Sequence, residues 1–108
     1  MPGSDVTPDL DDEGFLRSIK DWDQAVAKYL ADQASIVLTE AHWEIIYLVR
    51  EYQNQHGVFP PNRVLIKLIG EKLGREKASS IFLMRLFTGT PRRYLAMIAG
   101  LPKPTNCD

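Results

Sequence analysis

Glycines at positions 57, 74, 89 and 100 cut the second half of the chain into short segments, and the apolar residues in each fall at helical rather than strand spacing. A glycine just past a helix accepts the left-handed backbone that ends it. Between Gly57 and Gly74, Pro60-Pro61 suits the first turn of a helix. Val64, Leu65, Leu68, Ile69 and Leu73 form the core face of that helix. A further helix is expected near 76–87, carrying Ile81, Phe82 and Leu86, with Gly89 ending it. Thr90-Pro91 starts a short helix through Tyr94, Leu95 and Ile98, which Gly100 closes. Upstream, Asp21 with Gln24 three residues on predicts a capped start for a stripe of Trp22, Val26, Tyr29 and Leu30. Thr39 predicts the N-cap of a longer helix carrying Trp43, Ile45, Ile46, Leu48, Val49 and Tyr52. The pattern predicts a mainly α fold, a small domain of about five helices over residues 1–100.

Residues 1–13 contain Pro2, Gly3, Pro8 and a run of acids, and read as irregular. A short strand or β-hairpin is expected near Val6 and Gly14-Phe15-Leu16, turning at Asp12-Glu13-Gly14. A chain of 108 residues fits one domain able to fold without disulfides or metal. A single cysteine excludes an internal disulfide framework and fits a reducing compartment. The start, MPGSDVTPDLDDEGF, lacks the basic and apolar regions of a signal peptide, and no stretch has the apolar length of a membrane span. The expectation is a cytoplasmic protein. With no long heptad pattern to make a dimer seam, it is expected to be a monomer.

The charges are segregated. Residues 1–60 hold 4 basic and 11 acidic side chains, a net of −7; residues 61–108 hold 9 basic and 3 acidic, a net of +6. Such asymmetry fits either a basic face for an anionic partner or two halves that attract each other. The helices either side of Gly74, with Arg63, Lys67, Lys72, Arg75, Lys77 and Arg85, admit a helix-turn-helix DNA-binding regulator as one functional class. Against it, the segment REKASSIFLMRLF offers few side chains for base edges. His42 and His56 fit surface or capping positions better than metal ligation, and Asp11-Asp12-Glu13 lacks the alternating spacing of a calcium loop. The sequence calls for no metal or organic cofactor.

The remaining feature is GLPKPTNCD, residues 100–108. Pro102 and Pro104 fix φ and favour an extended segment, so residues 101–108 are expected to form a flexible arm carrying Cys107. From Leu101 to Cys107 the arm spans roughly 23–25 Å when fully extended. Asp108 beside the thiol disfavours a second negative charge, which makes Cys107 a slow nucleophile until a partner supplies positive charge.

GLPKPTNC resembles the C-terminal GLPKPTGC signature of the DsrC/TusE family. DEGFL at 12–16, the DW at 21–22, LTEAHWEII at 38–46, GVFPPNRVLIKL at 57–68 and IAGLPKP at 98–104 are similar to the same family. The resemblance implies a helical domain with a small N-terminal hairpin and a flexible arm, whose near-terminal cysteine, here Cys107, carries sulfur as a persulfide. Family members with a second cysteine eleven residues earlier act with dissimilatory sulfite reductase; that position is Ala96 here. The one-cysteine pattern is similar to TusE-type relay members, sulfurtransferases in tRNA wobble-uridine 2-thiolation. Partners implied are a sulfur donor complex of the TusBCD/DsrEFH type and a tRNA 2-thiouridylase acceptor, with a role in cytoplasmic sulfur oxidation as the alternative. Arg92, Arg93 and Lys103 are the candidate partner-docking cations. Asn106 stands where the family has glycine; asparagine is the side chain best able to keep a left-handed bend.

Overall fold

A computed structural model of the chain describes residues 7–104. Five α-helices follow one another: α1 (Gln24–Gln33), α2 (Glu40–His56), α3 (Asn62–Leu73), α4 (Ser80–Phe87) and α5 (Pro91–Ile98). Single 3₁₀ turns precede α1 at Ile19–Asp21 and α4 at Arg75–Lys77. The mainly helical fold matches the expectation.

α5 is the inner element and packs on α1, α2 and α4. Leu95, Ala96 and Ile98 on it are fully buried, as are Ala99 and Leu101 just beyond. Around them lie Ala27 and Leu30 of α1, Ile45, Ile46 and Val49 of α2, Leu65 and Ile69 of α3, and Leu83 and Phe87 of α4. A helix of eight residues is too short to be stable by itself and depends on the helices that cover its apolar side, which fixes α5 at the centre.

The helix boundaries follow local chemistry. α2 begins where expected: the Thr39 N–H donates to His42 Nδ1 at 3.0 Å, a capping box with histidine in the third position. It ends at Gly57, whose φ is +76°. α1 begins two residues later than expected. Asp23, not Asp21, caps it, accepting from the Val26 N–H at 2.9 Å. The cause is Trp22, whose extended backbone aims its indole at α5, so the helix cannot start before it. α4 also begins later than position 76. Ser79 takes the cap and accepts from the Phe82 N–H at 3.1 Å, leaving residues 75–77 in a separate 3₁₀ turn. α4 stops at Thr88, which adopts the positive φ of 69° that the sequence assigned to neighbouring Gly89.

The expected N-terminal hairpin does not form among the described residues; Val6 lies outside them. What exists is one antiparallel bridge, Leu10 to Leu16. The Asp11 carboxylate accepts from the Glu13 and Phe15 N–H groups, both at 2.9 Å, closing a tight Asx loop. These bonds hold the Asp11 carboxyl below its ordinary range, the Phe15 N–H most strongly, helped by Arg17. The loop turns so tightly that only one residue pair is left to bridge. It suffices to bury Phe15 and Leu16.

Candidate functional site

The sequence places its chemistry on the segment that leaves α5, so the root of that segment is the site to build. Ile98 and Ala99 end α5, and helix ends leave carbonyls without helical donors. Here each is met by a side chain from far away in sequence. The Trp22 indole Nε1–H donates to the Ile98 carbonyl at 2.9 Å, and Arg50 Nη1 donates to the Ala99 carbonyl at 2.6 Å. The Arg50 guanidinium also lies over the Trp22 ring, 4.0 Å from its centroid, and Tyr47 meets the same ring edge-on at 5.9 Å. A cation at a helix C-terminus is favoured by the helix dipole as well.

The backbone closes the helix in a Schellman arrangement. The Leu101 N–H donates to the Ala96 carbonyl at 2.9 Å and the Gly100 N–H to the Met97 carbonyl at 3.1 Å, with Gly100 at φ +72°. Gly100 is required twice over, because a Cβ there would also press into Trp22. Leu101 is 1% exposed and Pro104 is buried. The stretch 101–104, expected as the start of a flexible arm, is therefore packed on the body: Leu101 completes the core that α5 begins. Thr105, Asn106, Cys107 and Asp108 lie outside the described residues.

The three expected docking cations differ in place. Arg92 is 5% exposed; its guanidinium donates to the Pro60 carbonyl at 3.2 Å and lies 5.4 Å over the Phe59 ring, so it ties α5 to the loop before α3 rather than facing a partner. Arg93 is half-buried over the Phe15 ring at 5.7 Å. Lys103 is exposed and pairs with Glu13 at 3.1 Å, which links the departing segment to the N-terminal loop. Beside this root runs a groove of about 390 Å³, lined by Val58, Phe59, Pro61 and Arg92 together with Pro102, Lys103 and Pro104.

Ala96, where two-cysteine family members carry the second thiol, is fully buried in α5. His42 is buried too. With Nδ1 accepting from Thr39, its Nε2 carries the proton and donates to the Leu86 carbonyl at 2.8 Å, joining α2 to α4. Burial holds this ring below the ordinary imidazole range, opposed by the bond to Leu86. His56 is exposed and stacks near Tyr52. Among the described residues no group of His, Cys, Asp and Glu is arranged to hold a metal ion, and no helix is long and apolar enough to cross a membrane. The exposed side chains of α4 include Ser80, Ile81, Met84 and Arg85, which leaves that helix a single cation and little to read base edges.

Trp22 and Arg50 are the site residues that sequence reasoning missed. Trp22 read as part of an apolar stripe. Arg50 had a detectable signal: it is the only Lys or Arg in α2, set beside the apolar stripe rather than opposite it.

A family model described as "DsrC like protein" matches residues 4–107, a span that includes both Trp22 and Cys107. The chain belongs to the DsrC-like family. It is 43% identical over 99 residues to the protein named sulfurtransferase TusE from Photorhabdus laumondii, covering 92% of this chain and 89% of that one. The solution structure of Allochromatium vinosum DsrC superposes with a TM-score of 0.83 at 44% identity, covering 92% of this chain and 88% of that chain. The crystal structure of the oxidised gamma-subunit of dissimilatory sulfite reductase, DsrC, from Archaeoglobus fulgidus gives 0.83 at 39% identity, covering 94% and 92%.

Proposed function

We propose that this protein is a cytoplasmic single-cysteine sulfur carrier, a sulfurtransferase of the TusE type, in which Cys107 is the persulfide-bearing residue. The observation that carries the reading is the near full-length likeness to sulfurtransferase TusE, together with a family match that runs through the GLPKPTNC segment. Two segments divide the labour: a helical body that recognises partners, and a C-terminal arm that presents the thiol. With Leu101 and Pro104 buried, the arm proper begins after Pro104.

The chemistry is thiol exchange with the outer sulfur as cargo. The Cys107 thiolate attacks the sulfane sulfur of a donor persulfide. The donor S–S bond breaks, a new S–S bond forms at Cys107, and the donor thiolate leaves with the electron pair. There is no net oxidation, and the step asks for no cofactor. The donor is a complex of the TusBCD/DsrEFH type, and the acceptor is a tRNA 2-thiouridylase with its bound tRNA. Arg93 and Lys103 are the docking cations that retain surface; Arg92 holds the loop beneath them.

The test is intact mass after incubation with a persulfide donor. One added sulfur that disappears in Cys107→Ser is expected; no gain, together with a salt-sensitive shift of duplex DNA, would favour the regulator. The likeness to DsrC structures supports a second reading, a carrier in sulfur oxidation. Ala96 weighs against the two-cysteine form of that role, because one thiol cannot close an intramolecular disulfide. Deleting the gene is expected to lower 2-thiouridine in tRNA; unchanged thiolation would transfer the case to sulfur oxidation.

A further inference from the structure

We infer that Trp22 and Arg50 are positioning residues for sulfur transfer, a clamp that fixes the direction in which the Cys107 arm leaves the body. The inference rests on the carrier reading above. Four ties converge on six consecutive residues, 96–101: the Trp22 bond to the Ile98 carbonyl, the Arg50 bond to the Ala99 carbonyl, the left-handed Gly100, and the Leu101 N–H returning to Ala96. The Schellman bonds serve only the Ala96 and Met97 carbonyls, and Ile98 and Ala99 are buried, so the last two carbonyls of the helix are met by these two side chains. The two side chains also support each other. The guanidinium over the indole holds both donors in register, so neither carbonyl is met by a mobile partner.

The consequence is mechanical. From Leu101 to Pro104 the segment is packed on the body and Pro102 and Pro104 have fixed φ, so the direction set at the helix end carries to the start of the arm at Pro104. Transfer between two thiols is sensitive to placement, and an error of about 1 Å at reacting atoms can cost on the order of a hundredfold. Loosening the root spreads the arm over directions that miss the partner's cysteine. A partner bound normally would then receive sulfur slowly. The expected signature is a fall in kcat without a matching rise in KM.

Two variants remove the donors while keeping bulk, Trp22→Phe and Arg50→Met. Each is assayed for sulfur uptake from a persulfide-loaded donor complex of the TusBCD type and from glutathione persulfide, which needs no docking. The expected result is a kcat lowered about tenfold with the protein donor, KM within about twofold, and an unchanged rate with glutathione persulfide. Parallel loss with both donors would show a structural role only and overturn the inference, as would unchanged rates. The clamp is read independently by pulsed spin-label distances between Lys28→Cys and Lys103→Cys in a Cys107→Ser background. Trp22→Phe is expected to broaden that distribution about twofold, and an unbroadened distribution would refute the clamp. If the wild type takes no sulfur from any donor while the distribution still broadens, the carrier reading fails and the clamp stands.

Discussion

Replacing Gly100 with alanine tests how tightly the root of the arm is built. An alanine Cβ at this position would lie 2.8 Å from Trp22 Cγ and 2.9 Å from Trp22 Cβ, and closer still to Cδ1. Those atoms are the rigid base of an indole held by Ile98 and Arg50, not the free end of a flexible chain. The steric part therefore costs about 1–3 kcal/mol, as overpacking does in other cores. The backbone adds about 1 kcal/mol, because φ is +72°. The total of about 2–4 kcal/mol is a large share of a stability of roughly 5–15 kcal/mol. At about 4 °C per kcal/mol for a chain of this size, the melting temperature should fall by roughly 8–16 °C. Gly57→Ala is the control: φ is +76° but nothing lies within 4 Å of the added Cβ, so only the backbone cost of about 1 kcal/mol applies. Thermal and urea unfolding followed by circular dichroism measure both. In a Trp22→Ala background the Gly100→Ala cost should shrink toward that of Gly57→Ala without reaching it, because the contacts with Cγ and Cδ1 go while the one with the residue-22 Cβ at 2.9 Å stays; a double-mutant cycle reads that coupling directly. Equal losses for the two glycine variants in the wild-type background would refute the argument from close approach.

His42 makes stability depend on pH. The folded ring is held neutral below its ordinary value of 6.5, so the unfolded chain binds the proton first; stability is full above about pH 6.5 and is lost as pH falls from there toward the folded value. His42→Gln should flatten the urea midpoint between about pH 7.5 and 5.5; an unchanged slope would assign the dependence to other groups. Glu13→Gln should cost at most about 0.2–1 kcal/mol in urea unfolding, since both members of its pair with Lys103 are well exposed. A larger loss would mean the N-terminal loop depends on that pair. Val58→Asp puts a charge at the lip of the groove beside the arm root, where Val58 is 56% exposed. It should raise KM for the protein donor severalfold and leave uptake from glutathione persulfide unchanged; an unaltered KM would place donor docking elsewhere.

Helix number and order were legible because each apolar stripe is bounded by a glycine, a proline or a capping residue. The errors occur where a distant partner decides. Asp21 and Asp23 are equally good caps by local chemistry, and only the indole of Trp22 reaching Ile98, 76 residues on, selects the second. The hairpin looked plausible from turn residues alone. Asp11 takes two backbone N–H groups into its carboxylate, and that competes with a longer ladder. Arg92 and Arg93 are adjacent and chemically alike, so sequence treats them as one basic patch. Helical geometry separates them by about 100°, which sends Arg92 into the core against Phe59 and Pro60 and leaves Arg93 at the surface edge over Phe15.

The most consequential revision concerns where the arm starts. A segment with two prolines and no apolar stripe reads as free from Gly100 onward. Yet one leucine, Leu101, is enough to bind it to the core, because the turn at Gly100 delivers that side chain into the buried cluster. The burial of Pro104 extends the anchorage by three residues. From Pro104 to Cys107 the covalent reach is then roughly 13–14 Å, little more than half of what a free arm from Leu101 would have. A thiol on so short a tether cannot search for a distant partner. The partner's cysteine has to be carried to the body, within one tether length of the groove that Pro102, Lys103 and Pro104 share with Val58 and Phe59. With Cys107 as the carrier residue proposed above, sulfur transfer becomes a problem of docking two surfaces and aiming one root, and the proposed clamp would make residues as far away in sequence as Trp22 and Arg50 bear on it.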